Sequence, residues 1–288
     1  MMIQEKAYAK LNLSLDVSRA REDGYHDMVM VMQTVSLCDE LSIELREGEP
    51  VRAETGLPYL PQDDRNLAVR AARLYLNHTG RESLGARICM KKRIPVGAGM
   101  AGGSSDAAAA LRGLNRYFGN ELSREEMLAL AEKTGSDVAF CLTGGTALAE
   151  GRGEVLTPLR ALPECTFVIC KPEYSISTPE LFRALDREKL RIHPDTAGIL
   201  EAIASGNIHA LCRRMYNVFE DVPDRRIKNI GAIKQKLFNR GAEGAVMTGT
   251  GSAVFGVFTE EETAEAACIA LKKEIPFVCT AKPVGTLL

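Results

Sequence analysis

The sequence has little of what would place it in a membrane, on nucleic acid or around a metal. No apolar run approaches the roughly 20 residues needed to span a bilayer. The first residues, MMIQEKAYAK, lack the apolar centre of a signal peptide. Lys and Arg number 36 against 38 Asp and Glu, a net charge of -2, so the basic surplus of a nucleic-acid binder is missing. The four histidines are scattered. The eight cysteines form no C-x-x-C pair, the closest two being Cys165 and Cys170. Both facts argue against a zinc site and for reduced, mostly buried thiols. There is no internal repeat and no low-complexity tract. The expectation is a cytoplasmic globular protein with a small-molecule partner, neither nucleic acid nor membrane. At 288 residues, two domains are expected.

Against these absences stands one dense motif, PVGAGMAGGSS, formed by Pro95, Val96, Gly97, Ala98, Gly99, Met100, Ala101, Gly102, Gly103, Ser104 and Ser105. Asp106 and four alanines follow it, a strong helix-forming run. Glycines let backbone N–H groups approach an anion, and a helix N-terminus supplies further unpaired N–H groups and a favourable dipole. Ser104 and Ser105 are placed to cap that helix or to touch a phosphate or its metal. Gly97, Gly99 and Gly102 also satisfy G-x-G-x-x-G, but a dinucleotide site needs a buried strand before the loop and an acidic residue ending the next strand. Here residues 86–93 alternate like a half-exposed strand, and residues 123–133 read as a helix. The G-K-[ST] of a Walker A loop is absent, because Ser104 follows Gly103.

Elsewhere the pattern is α+β. Residues 7–17 alternate, with Ala9, Leu11, Leu13, Leu15 and Val17 on one face. Lys10 and Asn12 sit side by side on the other face, directed away from the core. Glu22, Asp23 and Gly24 read as a turn, and Tyr25 and His26 at its end suit stacking on and hydrogen-bonding a flat ring. Residues 28–37 read as Met-rich core or pocket wall, 41–45 as a strand, and 48–63 as a loop. A helix is expected over 66–77 and another from the glycine loop to about Leu114. Ser123 to Glu126 form a capping box for a helix ending near Lys133, with Gly135 as its C′ residue. Asp137 opens a further short helix, where on local grounds it serves as an N-cap or first-turn acid. Two prolines over 158–163 mark a domain boundary. Beyond it come a strand at 166–170, helices at 178–185, 195–204 and 224–238, a second glycine turn from Met247 to Ser252, a helix at 260–273 and a strand at 277–284. Strands separated by helices on this scale suggest a compact α+β second half.

The order AKLN at 9–12, the loop at 95–105 and TGTGS at 248–252 resembles the GHMP kinase superfamily, over essentially the whole chain. AKLNLSLDV at 9–17, DGYH at 23–26, GGSSDAA at 102–108 and GSDVAF at 135–140 point within it to the branch acting on a cytidylyl polyol. The resemblance implies two lobes, 1–160 like the second domain of ribosomal protein S5 and 161–288 ferredoxin-like, with the active site between them. It implies ATP and Mg²⁺, with phosphoryl transfer to a hydroxyl of a small cytidylyl polyol, by a monomer or homodimer. The loop from Pro95 to Ser105 would hold ATP, with Lys92 nearby and Ser104 or Ser105 on the metal. Asp137 would be the base and Lys10 its cationic partner. Asn12 would bind substrate, Tyr25 stack on cytosine, His26 read its edge, and Phe182 or Tyr174 close the sandwich. Alanine replaces the family's frequent glycine at Ala98 and Ala101, which is tolerable where φ is negative. Two alternatives remain open: a sister GHMP kinase for another alcohol, and a non-catalytic nucleotide-binding relative.

Overall fold

The structure, a computed structural model, describes residues 2–22, 24, 26–188, 190, 192–223 and 225–288. Two strands frame its first half. β1 (Met2–Ala20) and β2 (His26–Glu47) pair antiparallel along nearly their full lengths, from Met2 opposite Glu44 to Ala20 opposite His26. The Met-rich stretch and the strand expected at 41–45 are therefore one 22-residue strand. Register shifts near Tyr8, Asn12 and Val17 bend the ribbon. The two ends of β2 accordingly serve different neighbours.

β3 (Arg52–Thr55) lies within the expected loop region. α1 (Leu67–His78) starts at an Asn66 cap whose side chain accepts from the Ala68 N–H. β4 (Leu84–Lys91) pairs with the far half of β2, and β3 pairs parallel to β4. α2 (Gly102–Tyr117) follows the glycine loop. α3 (Arg124–Thr134) carries the capping box, with Ser123 and Glu126 bonded reciprocally. Gly135 ends it in an extended conformation (φ 173°), not as a left-handed C′ residue. α4 (Val138–Thr143) is a short buried turn of helix. β5 (Thr146–Gly151) pairs with the near half of β2, and β6 (Val155–Pro158) with β5. The alanines of α2 are fully buried in one cluster with Ala68, Ala71 and Ala72 of α1.

The second half holds β7 (Thr166–Lys171), α5 (Thr178–Leu185), α6 (Thr196–Ser205), α7 (Ile208–Cys212), β8 (Tyr216–Asn217), α8 (Arg225–Phe238), β9 (Gly244–Met247), β10 (Val254–Phe258), α9 (Glu261–Leu271) and β11 (Phe277–Ala281). Its four-stranded sheet has the order β11-β7-β10-β9 with every pair antiparallel, the topology of a ferredoxin-like sandwich. The two-residue β8 instead pairs parallel with β1 at Ser14 and Leu15, joining the halves.

The apolar face of β1 bridges two cores. Ile3 and Ala7 share a cluster with α1 and α2, whereas Ala9, Leu11 and Leu13 share one with Phe167, Ile169, Val246 and Phe255 of the second sheet. The middle of the polar face does not reach solvent. Lys10, Asn12 and Ser14 are 4%, 0% and 1% exposed, because the second half of the chain covers them. No helix among the described residues is long and apolar enough to cross a membrane.

Candidate active site

The glycine loop is held from two sides. From β1, the Lys10 N–H donates to the Met100 carbonyl at 3.2 Å. From the β9–β10 turn, the Ala253 N–H donates to the Ala98 carbonyl at 3.2 Å, and Thr248 Oγ1 to the Gly99 carbonyl at 3.2 Å. Gly99 and Gly249 meet backbone to backbone. A Cβ on Gly99 would lie 2.2 Å from the Thr248 carbonyl oxygen, and Gly99 has φ +76°. The two glycine turns thus form one interlocked unit, and the second braces the first.

α2 begins at Gly102 with no side-chain cap, so Ser104 and Ser105 do not cap it. Its first N–H groups open toward a cavity of about 990 Å³ lined by Pro95 to Ser104. An uncapped helix N-terminus and dipole favour an anion there. Ser105 is turned away. It is 1% exposed, and its hydroxyl donates to the Tyr8 carbonyl at 2.7 Å, tying α2 to β1. Of the two serines expected on phosphate or metal, only Ser104 lines the cavity. Ala98 has no positive φ, but Ala101 sits in the left-handed region at φ +56°, ψ +32°. The condition for a harmless alanine therefore fails at Ala101, where a side chain costs roughly 1–2 kcal/mol.

Lys10 and Asp137, 127 positions apart in sequence, come together at the cavity. Lys10 Nζ lies 3.9 Å from Asp137 Oδ2 and 2.6 Å from Asn12 Oδ1. Asp137 caps α4 by position, yet its side chain makes no cap hydrogen bond. The carboxylate, 32% exposed, is available to the cavity. Asn12 does not line it. Its Oδ1 accepts from Lys10 Nζ and from the Gly249 N–H at 3.0 Å, and its own N–H donates to Thr248 Oγ1 at 3.0 Å. Asn12 thus sits beneath the site, orienting Lys10 and tying β1 to the brace. Its Nδ2 has no protein partner.

Lys92 lines the cavity, but its ammonium is committed: it donates to Asp39 Oδ2 and Asp106 Oδ2, both at 2.5 Å. Asp39 Oδ1 accepts from the Arg93 and Ile94 N–H groups at 2.5 and 2.8 Å, whereas Asp106 Oδ1 has no partner. Burial works against the Lys92 charge, and the two carboxylates outweigh it and hold the ammonium above its ordinary range. Burial pushes Asp106 the other way, up to about 7, with Lys92 opposing and the Asp39 charge adding to the rise. Two carboxylates sharing one ammonium leave one negative charge in excess, and the under-bonded Asp106 is where a proton settles.

At the other end of the cavity His26 and Phe182 meet. Their rings stack with centroids 4.7 Å apart at 29°, and Phe219 packs edge-on to Phe182 at 4.9 Å. Tyr174 does not line the cavity; its hydroxyl donates to the Arg226 carbonyl at 2.9 Å. Tyr25 lies outside the described residues. Met28 and Met30 form part of the wall, as the Met-rich segment suggested. The sequence reading missed Asp39, Asp106 and Asn217. Asn217 Nδ2 donates to the Met247 and Gly249 carbonyls, both at 2.8 Å, and fixes the bracing turn. Among the described residues no group of three or more His, Cys, Asp or Glu is placed to hold a metal ion.

The model of the GHMP kinases N terminal domain matches residues 66–145, and that of the GHMP kinases C terminal region matches residues 199–276. The 4-diphosphocytidyl-2-C-methyl-D-erythritol kinase of Caldicellulosiruptor saccharolyticus is 44% identical over 278 residues, 96% of each chain. The chain belongs to the GHMP kinase family. This GHMP kinase is also 44% identical over 262 residues to the Bacillus subtilis protein of the same name, covering 91% of this chain and 90% of that one. A crystal structure of 4-(cytidine 5'-diphospho)-2C-methyl-D-erythritol kinase superposes with a TM-score of 0.81 at 35% identity, over 98% of this chain and all of that one. A homoserine kinase from Cytophaga hutchinsonii shares the fold of this GHMP kinase, with a TM-score of 0.77 at 21% identity.

Proposed function

We propose that the protein transfers the γ-phosphoryl group of ATP to the 2-hydroxyl of 4-diphosphocytidyl-2-C-methyl-D-erythritol, a step of non-mevalonate isoprenoid synthesis. The observation that carries this reading is that one cavity joins a glycine-loop helix N-terminus, the Lys10–Asp137 pair and the His26–Phe182 aromatic wall. The cytidylyl substrate follows from the names of relatives that match nearly the whole chain. We place the lobes at 1–160 and 161–288, on either side of the β6–β7 turn, with the cavity between them.

Phosphoryl transfer has a loose transition state, so positioning and charge stabilisation dominate. The uncapped start of α2 and the loop backbone hold the triphosphate. Asp137 accepts the proton of the attacking hydroxyl. Lys10, fixed by Asn12, offsets charge developing on the transferred group. Tyr25, His26 and Phe182 take the cytosine. The donor set suits a Mg²⁺ that arrives on phosphate oxygens and keeps its waters, because Ser104 is the only one of the two loop serines directed at the cavity. Such an ion would neutralise phosphate charge there.

General base catalysis contributes about 10²–10⁴-fold. Asp137→Ala should therefore cut kcat by about that factor while ATP binding, measured by calorimetry, persists. Turnover near the original rate would remove Asp137 from this role.

A further inference from the structure

The base end of the cavity holds a polar contact that the reading above leaves unused. His26 opens β2, and its imidazole side chain is 11% exposed. Its Nε2 lies 2.6 Å from Asp186 Oδ1. Asp186 is the cap residue that closes α5, the helix carrying Phe182, and both residues line the cavity. The first residue of α5 is pinned as well: Thr178 Oγ1 and Thr250 Oγ1 are hydrogen-bonded at 2.7 Å. Helix, carboxylate and stacked rings are therefore held as one unit on the bracing turn.

The chemistry of this contact is restrictive. An ionised carboxylate only accepts, so Nε2 must carry the hydrogen. In a neutral imidazole Nδ1 then holds a lone pair and can only accept. Nδ1 has no partner among the described residues. The edge of a 4-aminopyrimidine offers a donor to such an atom. The edge of a 4-oxopyrimidine offers a carbonyl oxygen, which leaves two acceptors facing each other.

We propose that Asp186 is a positioning residue that sets base specificity: by holding His26 in the Nε2–H tautomer, it directs Nδ1 to accept from the 4-amino group of cytosine and to reject uracil. This rests on the cytidylyl reading of the substrate. Leaving a polar group unpaired in a closed site costs enough to discriminate about 10–100-fold.

The test compares kcat/KM for the cytidylyl substrate and its uridylyl analogue in the wild type, Asp186→Asn and Asp186→Glu. The wild type should prefer the cytidylyl compound by about 10–100-fold. An asparagine amide can turn its NH₂ toward Nε2 and admit the Nδ1–H tautomer, which donates to a 4-oxo group. Asp186→Asn should bring the preference toward unity, raising KM for the cytidylyl compound about tenfold with a much smaller change in kcat. Asp186→Glu, still an obligate acceptor, should restore part of the preference. The ¹⁵N spectrum of the His26 ring gives a readout independent of turnover. It should show Nε2 protonated and Nδ1 bare in the wild type, and a mixture of tautomers in Asp186→Asn. If the wild type turns over the cytidylyl compound and Asp186→Asn keeps the full preference, the proposal falls alone. If the wild type does not turn over the cytidylyl compound, the substrate reading falls and takes the proposal with it.

Discussion

Asp106→Asn removes one of the two carboxylates that share Lys92 beneath the glycine loop, and its effect should depend on pH in a defined direction. Asp106 is 3% exposed, accepts from Lys92 on one oxygen only, and has its proton affinity raised by burial from 3.8 to about 7. Between those values the folded chain holds a proton that the unfolded chain does not. Unfolding then releases a proton, so this group makes the protein less stable as pH rises. At roughly 1.4 kcal/mol per unit, the loss between pH 5 and pH 8 is about 2–3 kcal/mol. Asparagine keeps the shape and the acceptor for Lys92, leaves a neutral Asp39–Lys92 pair, and does not titrate. The variant should therefore gain about 2–3 kcal/mol relative to the wild type on going from pH 5 to pH 8. For a chain of this size that is a relative Tm shift of about 3–5 °C. Calorimetric unfolding of both proteins at the two pH values reads it directly, because other titrating groups cancel in the difference. A Tm difference that is the same at pH 5 and pH 8 would refute the argument.

Three further outcomes follow from the geometry around the loop. Gly99→Ala places a methyl 2.2 Å from the Thr248 carbonyl at a positive φ, so the two turns must separate. ATP affinity by calorimetry should fall at least tenfold, an effect worth about 1.4 kcal/mol. Thr248→Val leaves the Asn12 N–H, fully buried, without its acceptor. Unfolding in urea should show a loss of about 1–3 kcal/mol. Ala101→Gly relieves the left-handed strain at the start of α2 and should raise stability by up to about 1 kcal/mol after the entropy cost of glycine, again read in urea.

How far the sequence could be read depended on how local each cause was. The alternation over 7–17, the helical spacing over 66–77, the capping box at Ser123 and the glycine-to-alanine run at 99–110 are short-range signals, and each appears in the structure as an element or its start. The two-residue β8 and the short β3 carry too few residues to show a period, and both pair with partners distant in the chain. Solvent contact on the polar face of β1 followed from alternation alone. Its burial comes from Thr248 and Gly249, more than 230 residues away. Lys10 and Asp137 could be paired only through the family resemblance, since nothing local links them. Asp106 stood inside the motif but read as part of a helix start. Its unusual chemistry needs Asp39 and Lys92, which reach it from the interior of β2 and from the residue just after β4. Asp186 acts through a histidine 160 positions earlier, and no spacing rule connects them.

The most direct test of the whole account is ADP release by the purified protein with Mg-ATP, comparing 4-diphosphocytidyl-2-C-methyl-D-erythritol with mevalonate, phosphomevalonate and homoserine. We expect turnover confined to the cytidylyl substrate. Turnover on one of the other alcohols, or on none of the four despite ATP binding, would contradict it.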